Sequence, residues 1–327
     1  MEYVNLGKSG LKVSKVTLGT MTFGREADKE TAFKLLDYYY EQGFNFVDTA
    51  DKYAEGVSEK IVGEWLKDRK CRQNIVLATK VYLPMGAGPN DCGLSRIHIQ
   101  NAVEASMKRL QVDVIDLYQI HKWDPGVPIE ETYETLNDLV RQGKVRYLGC
   151  SNLTAWQLSK YIQISNLRGF SNFISIQSPY NLINRGIENE ILPLCQFEGL
   201  GVITYNPLAG GMLTGKYQNK HSMPKNTRLV SFDVYRKRYF SDISLKIVDE
   251  FIAFAQKFGT TPARLALAWI IANPNITSPI IGARNLQQLQ DTLGGLDLRL
   301  KEDDMKKIPC ISKGRWVGTD PVYDCKY

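Results

Sequence analysis

Several titratable side chains in this sequence stand at the ends of short apolar runs, where a strand would open into a loop. Asp48, Lys80 and His121 each end such a run, and Tyr53 lies five residues beyond Asp48 in a polar segment that contains Gly56. Enzymes use these residue types for proton transfer, and loops carry reactive groups while the strand beneath holds them in place. Any one of them alone could be a helix cap or a half-buried ring. Their recurrence along the chain indicates a functional site.

The elements that must position these residues alternate regularly along the chain. Eight short apolar strands, from 16–18 to 278–282, are each followed by a segment with helical periodicity. Strands that alternate with helices predict a parallel sheet, and eight such units predict an α/β protein with a closed (β/α)8 barrel, a TIM barrel. The alternative is an open, doubly wound sheet. If that sheet bound a dinucleotide, it would usually carry Gly-x-Gly-x-x-Gly after its first strand, and residues 19–24 lack this pattern.

The two ends of the chain lie outside this alternation. Within residues 1–15, two short strands flank Gly7-Lys8-Ser9-Gly10, which predicts an N-terminal β-hairpin. We expect one barrel domain over residues 1–327, with a C-terminal tail of unknown role at 310–327.

The barrel fold makes a prediction about where the polar residues meet. Active sites of this fold lie at the C-terminal ends of the strands. On this assignment, the strand ends bring one set of polar residues to a single rim: Asp48, Lys80, His121, Ser151, Asn152, Gln177, Tyr205 and Arg284.

The composition argues against several other classes of function. The net charge of +6 comes from 41 basic and 35 acidic residues spread along the chain, which does not suggest nucleic-acid binding. No window approaches the ~20 apolar residues of a membrane span, and the N-terminus has no features of a signal peptide. The six cysteines and three histidines are scattered, so neither disulfides nor a metal site are expected. We expect a soluble, cytoplasmic protein.

A series of motifs, in order and sensibly spaced from Leu6 to about Leu300, resembles those of aldo-keto reductases. The motifs are Asp48-Thr49-Ala50-x-x-Tyr53, Ser58-Glu59, Thr79-Lys80, Gln119-Ile120-His121-x-x-Asp124, Gly149-Cys150-Ser151-Asn152, Gln177-Ser178-x-Tyr180-Asn181, Tyr205-x-Pro207-Leu208-Ala209-x-Gly211 and Pro279-Ile280-Ile281-Gly282-Ala283-Arg284. The sequence is similar in particular to the branch that holds aryl-alcohol-dehydrogenase-like reductases and the β subunits of potassium channels.

The resemblance implies hydride transfer between a nicotinamide cofactor and a carbonyl, with four catalytic residues, Asp48, Tyr53, Lys80 and His121. The alkoxide charge that develops on the substrate must be neutralised as it forms. Tyr53 would donate the proton, although a phenol with an unperturbed pKa near ~10 is a weak acid unless it is assisted. Lys80 would lower that pKa, and Asp48 would hold Lys80 charged and in place. His121 would orient the carbonyl oxygen or share the proton transfer.

The resemblance also implies NADPH/NADP+ as the cofactor. Ser151, Asn152 and Gln177 match positions that hydrogen-bond the nicotinamide carboxamide, and Tyr205 matches the aromatic residue that stacks on its ring. Arg284 matches a position that contacts the 2′-phosphate, which suits a planar guanidinium and favours NADPH over NADH. The full set of expected cofactor-binding residues is Gly19, Thr20, Met21, Asp48, Ser151, Asn152, Gln177, Tyr205, Asn206, Pro207, Leu208, Ala209, Gly210, Lys216, Arg228, Gly282, Arg284, Gln288 and Asp291.

Other interpretations compete with this one. Lys80 could form a Schiff base with a carbonyl substrate, as in an aldolase. Residues 210–217 resemble the phosphate loop of nucleotide hydrolases, but Tyr217 stands where a magnesium-binding hydroxyl would be required. The protein could also be a cofactor-sensing regulatory subunit, similar to the channel β subunits, with slow reductase activity.

The partner that we expect is a small-molecule carbonyl substrate, with no nucleic acid and no insertion into a membrane. A homo-oligomer or a membrane-protein partner stays open, as do the physiological substrate and the direction of flux.

Overall fold

A short hairpin and a closed parallel barrel form the framework of the protein in a computed structural model, which describes residues 2–219, 223–225 and 227–314. Strands β1 (Tyr3–Asn5) and β2 (Lys12–Ser14) pair antiparallel. The eight barrel strands are β3 (Thr17–Gly19), β4 (Phe46–Asp48), β5 (Val76–Val81), β6 (Ile115–Ile120), β7 (Val145–Ser151), β8 (Phe173–Pro179), β9 (Gly201–Tyr205) and β10 (Ser278–Ile281). They pair in parallel in chain order, and β10 closes the barrel onto β3. The predicted TIM barrel and N-terminal hairpin are confirmed.

Helices follow each barrel strand. In chain order they are α1 (Lys29–Glu41), α2 (Val57–Arg69), α3 (Arg96–Leu110), α4 (Ile129–Arg141), α5 (Ala155–Arg168), α6 (Ile191–Glu198), α7 (Arg228–Ser231), α8 (Asp233–Tyr239), α9 (Asp242–Lys257), α10 (Pro262–Ala272), α11 (Leu286–Leu293) and α12 (Glu302–Ser312). Helices α7, α8 and α12 were not predicted from the sequence. The tail expected from residue 310 begins inside α12, and residues 315–327 lie outside the described part of the chain.

The hairpin closes the bottom of the barrel. Leu6 and Val13 are fully buried in one cluster with inward-facing strand residues such as Phe46 and Leu117. Gly7, at φ +61°, lies so close to the start of β9 that an added Cβ would be 2.6 Å from the backbone nitrogen of Gly201. Because the hairpin covers the end where the strands begin, the opposite end, where they finish, is left for the site.

The described helices do not include a membrane-spanning candidate. None of them combines the length and the apolar composition that crossing a bilayer requires.

Candidate active site

The catalytic residues expected from the sequence meet at the C-terminal end of the barrel. Asp48 is the last residue of β4, and Lys80 lies one residue before the end of β5. Lys80 Nζ donates hydrogen bonds to Asp48 Oδ2 at 2.5 Å, to the Thr49 carbonyl at 2.8 Å and to Tyr53 Oη at 3.3 Å. The Lys80 and Asp48 side chains are only 0% and 2% exposed, so this ion pair is removed from water.

Two glutamines complete the surroundings of the Asp48 carboxylate. Gln177 Nε2 donates to Asp48 Oδ1 at 2.8 Å, and Gln119 Nε2 donates to the same oxygen at 3.1 Å. Both glutamines are buried in neighbouring parts of the barrel wall. Asp48 is therefore fixed by two amides on one oxygen and by Lys80 on the other. Gln119 was not among the expected site residues, although it stands in the motif that contains His121.

The loop after β4 brings Tyr53 back over Lys80. A tight turn over 53–56 places Ala54 and Glu55 in the left-handed region, at φ 49° and 53°. The Tyr53 ring lies 4.9 Å from Lys80 Nζ and packs edge to face against His121, with centroids 6.1 Å apart. The Tyr53 hydroxyl thus contacts the Lys80 ammonium, while the His121 imidazole lies beside the Tyr53 ring.

The environment sets the charge of each group. Burial lowers the pKa of Lys80, but Asp48 and Tyr53 more than compensate, so that its pKa is raised and the ammonium stays charged. Burial, followed by the charges of Lys80 and Lys122, lowers the pKa of His121 to about 3, so its imidazole is neutral at pH 7.

The pKa of Tyr53 differs from the expectation. Burial raises it, and the nearby Lys80 ammonium lowers it by less than burial raises it. The contribution of Lys80 has the expected sign, but the net shift is upward. Tyr53 is therefore protonated at neutral pH, and Lys80 reduces the cost of removing that proton.

A cavity of about 910 Å³ opens above these residues. Its lining includes all of the expected cofactor-binding residues except Thr20 and Ala209. Both exceptions are fully buried, and Thr20 Oγ1 instead donates to the Asp48 carbonyl at 3.2 Å. The structure therefore brings the expected set to one cavity, with Thr20 placed behind its wall.

The part of the cavity expected to hold the nicotinamide is internally hydrogen-bonded. Tyr205 Oη donates to Asn152 Oδ1 at 2.7 Å, and Asn152 Nδ2 donates to the His121 carbonyl at 2.9 Å. Ser151 Oγ donates to the Gln177 carbonyl at 2.9 Å. These bonds link the ends of four strands, β6 to β9, so the aromatic face of Tyr205 and the amide of Asn152 are fixed relative to His121.

Three cations gather at another part of the cavity and fit the phosphates of a dinucleotide. Burial, then the charges of Arg284 and Arg228, lower the pKa of Lys216 to about 8. Cations that are brought close enough to repel one another favour a bound anion. Gly211, at φ +96°, leaves room for Lys216, because a Cβ at this position would be 2.5 Å from Lys216 Cε. This donor set suits the phosphate groups of a nicotinamide dinucleotide.

Comparison with known proteins identifies the family. The model of the family described as "Aldo/keto reductase family" matches residues 15–313. This chain belongs to the aldo/keto reductase family. The resemblance stated from the motifs is thereby confirmed, and carbonyl chemistry of the oxidoreductase type is the activity that the family supports.

The relatives of this aldo/keto reductase include enzymes and channel subunits. It is 38% identical to "Uncharacterized oxidoreductase YrpG" of Bacillus subtilis, over 99% of both chains. It is 38% identical to "Probable voltage-gated potassium channel subunit beta" of Arabidopsis thaliana, over 91% of this chain and 92% of the relative. It is 34% identical to "Versiconal hemiacetal acetate reductase" of Aspergillus parasiticus, over 94% and 96%.

Some residues around the cavity were not expected from the sequence. Arg25, Lys52 and Lys122 line it, and none of them was among the candidate site residues. The only available signal was adjacency, since Lys52 precedes Tyr53 and Lys122 follows His121. The described residues hold no group of three or more His, Cys, Asp or Glu side chains placed to bind a metal ion.

Proposed function

We propose that this aldo/keto reductase reduces aldehydes or ketones to alcohols with NADPH, and that Tyr53 is the proton donor. The observation that carries the proposal is the position of Lys80 Nζ, 2.5 Å from the Asp48 carboxylate and 3.3 Å from the Tyr53 hydroxyl. A tyrosine in contact with a charged, buried lysine at the floor of a large cavity has the arrangement of an assisted general acid.

The bound cofactor would supply the hydride, and the side chains of this chain would manage the proton and the developing charge. Tyr53 is protonated at neutral pH and gives its proton to the carbonyl oxygen. The Lys80 ammonium stabilises the phenolate that remains, and Asp48 keeps Lys80 charged and oriented. His121, which is neutral at pH 7, can donate an N–H to the same oxygen. A positioned acid of this kind typically contributes roughly 10²- to 10⁴-fold to the rate.

The preference for NADPH over NADH rests on charge. Lys216, Arg228 and Arg284 all line the same cavity, and the effect on Lys216 shows that they interact electrostatically. A 2′-phosphate adds a dianion to the ligand, and guanidinium groups bind phosphate through paired hydrogen bonds. NADH, which has only a ribose hydroxyl there, offers no phosphate to accept these hydrogen bonds.

The experiment follows NADPH and NADH oxidation with aromatic and aliphatic aldehydes, alongside fluorescence titration of both cofactors. The proposal predicts turnover with NADPH, at least tenfold tighter binding of NADPH than of NADH, and loss of most of that preference in Arg284→Leu. Arg299→Leu, on the exposed segment before α12, is the matched control. Equal affinity for the two cofactors would contradict the NADPH assignment. The absence of turnover with either one would contradict the reductase.

A second candidate is a cofactor-sensing regulatory subunit, favoured by the similarity to a plant protein named as a potassium channel β subunit. It predicts tight NADPH binding, slow turnover with every carbonyl tested, and co-purification with a membrane protein. Borohydride trapping with substrate tests the aldolase alternative separately, because only a Schiff base on Lys80 would leave a stable adduct.

A further inference from the structure

We propose that the substrate of this enzyme carries an anionic oxygen group, a carboxylate or a phosphate, in addition to its carbonyl; this inference rests on the reductase function proposed above. Apart from the cations suited to the cofactor and from Arg238 of α8, the cavity has a second set, which we call the entrance cations: Arg25, Lys52 and Lys122. They come from three separate loops, after β3, β4 and β6, and all three line the same cavity.

The entrance cations lie at the reacting end of the cavity. Lys52 directly precedes Tyr53, and Lys122 directly follows His121. The Lys122 charge acts on the His121 imidazole, whereas the charges that act on Lys216 are those of Arg228 and Arg284. Lys52 and Lys122 are therefore next to the catalytic residues, and Arg25 joins Lys52 through Glu55, which contacts both cations.

The side chains around the entrance cations do not neutralise the positive charge of this set. One exposed carboxylate, Glu55, serves two of the cations, at 2.6 Å from Lys52 Nζ and 3.9 Å from Arg25 Nη2. Lys122 makes no ion pair with a described residue, and its ammonium instead lies 5.2 Å from the centre of the Tyr82 ring. Because three cations share one carboxylate, a net positive charge remains beside the catalytic residues.

The acidic side chains of the cavity lining do not offset the positive charge of the entrance cations. Within the described residues they are Asp48 and Asp291, and each is already paired. Asp48 is bound by Lys80, and Asp291 Oδ1 lies 3.0 Å from Arg264 Nε. A low-dielectric cleft lined by charges of one sign focuses its field on an incoming ligand of opposite sign.

Part of the cavity lining is apolar. Its side chains come from the loops after β3 and β5, from α8 and from the residue before α8: Met21, Leu83, Phe232, Val234 and Tyr235. The ligand that matches these surroundings has a carbonyl at Tyr53, a hydrophobic body, and an anionic group that reaches the entrance cations. An aryl or alkyl aldehyde with a carboxylate or phosphate substituent satisfies all three requirements.

Three benzaldehydes that differ only in the para substituent test this inference: 4-formylbenzoate, 4-formylphenyl phosphate and 4-formylbenzamide. The amide is close in shape to the carboxylate but uncharged. We expect at least one of the two anions to exceed the amide in kcat/KM by tenfold or more at low ionic strength, and the larger value identifies the preferred group. The advantage should shrink in 0.5 M salt, because the entrance cations are partly exposed.

Variants assign the effect to the entrance cations. Lys122→Gln should lower the ratio of kcat/KM for the better anion to that for the amide by roughly fivefold, the effect of one charge at close range in water. Lys122→Arg should keep the ratio, and Lys160→Gln, an exposed lysine of α5 away from the cavity, should not alter it.

The outcomes separate the inference from the reductase function. Reduction of the amide as efficiently as both anions, or an unchanged ratio in Lys122→Gln, overturns the inference and leaves the reductase in place. If none of the three aldehydes is reduced although NADPH binds, both the inference and the reductase proposal are overturned.

Discussion

Replacing Asp51 by asparagine should stabilise the protein at alkaline pH and leave its stability near pH 4 almost unchanged. Asp51 is fully buried beneath the Tyr53 loop, and neither of its carboxylate oxygens has a hydrogen-bond partner among the described residues. Its backbone amide donates to the Lys80 carbonyl, so the side chain lies directly behind the catalytic strand end. Burial, then the negative charge of Glu59, raise the pKa of Asp51 to about 7.

The size and sign of the effect follow from that pKa. The folded protein holds the Asp51 proton up to about pH 7, whereas the unfolded chain releases it near its ordinary value of 3.8. Below about pH 4, Asp51 is protonated in both states and does not reduce the free energy of unfolding. As the pH rises from about 4 through 7, only the unfolded chain releases the proton readily, so the free energy of unfolding falls. The two pKa values differ by about three units, and each unit corresponds to about 1.4 kcal/mol, so the free energy of unfolding is about 4 kcal/mol lower at pH 8 than at pH 4. Asparagine has no charge to release and avoids this loss.

Urea denaturation of wild type and Asp51→Asn between pH 4 and pH 8 measures the difference directly. The variant's advantage should grow from near zero at pH 4 to about 4 kcal/mol at pH 8, with most of the change between pH 5 and pH 7. Asp303→Asn, at a carboxylate that is 77% exposed, should show no such trend. An advantage that does not depend on pH, or a variant less stable than wild type at pH 8, would refute the reasoning.

Two further variants probe the charges at the site. Lys80→Met should lower the free energy of unfolding by about 3–5 kcal/mol, because it leaves the buried Asp48 carboxylate without its cation. The double variant Asp48→Asn/Lys80→Met should recover part of this loss. A double variant no more stable than Lys80→Met would contradict the ion-pair argument. His121 has a folded-state pKa of about 3, below the ordinary 6.5, so the stability it provides is present above pH 6.5 and is lost toward pH 3. His121→Phe should therefore gain about 3 kcal/mol on wild type between pH 7 and pH 4 in urea denaturation, and parallel curves for the two proteins would show that the imidazole is not held neutral.

The fold and the strand-end residues were predictable because both follow from periodicity. Strand and helix patterns alternate eight times, and the barrel places every strand end at one rim, which is how Asp48, Lys80 and His121 come together. The short helices α7 and α8 were missed because they are only 4 and 7 residues long and show no full period of apolar residues. Helix α12 was missed although it runs for 11 residues, since Pro309 within it predicts a break.

The pKa values and hydrogen bonds of the site were harder to predict from the sequence than the residues that form it. Sequence alone predicted a lowered pKa for Tyr53 because it considered the Lys80 ammonium and not the depth of burial. Gln119 in β6 reaches Asp48 in β4 because β5 pairs with both of these strands in the barrel, and this proximity is not visible along the chain. The entrance cations were missed for the same reason, since Arg25 and Lys122 are far apart in sequence and only the fold brings both to the lining of one cavity.

The central claim is that Tyr53 protonates the carbonyl oxygen, and Tyr53→Phe tests it most directly. The substitution keeps the ring against His121 and removes the hydroxyl that contacts Lys80. We predict that kcat for aldehyde reduction with NADPH falls by roughly 10²- to 10⁴-fold, while the Kd for NADPH changes little. The control Tyr40→Phe, at a half-buried tyrosine of α1 that does not line the cavity, should behave as wild type. Turnover that persists at the wild-type level in Tyr53→Phe would show that another group supplies the proton.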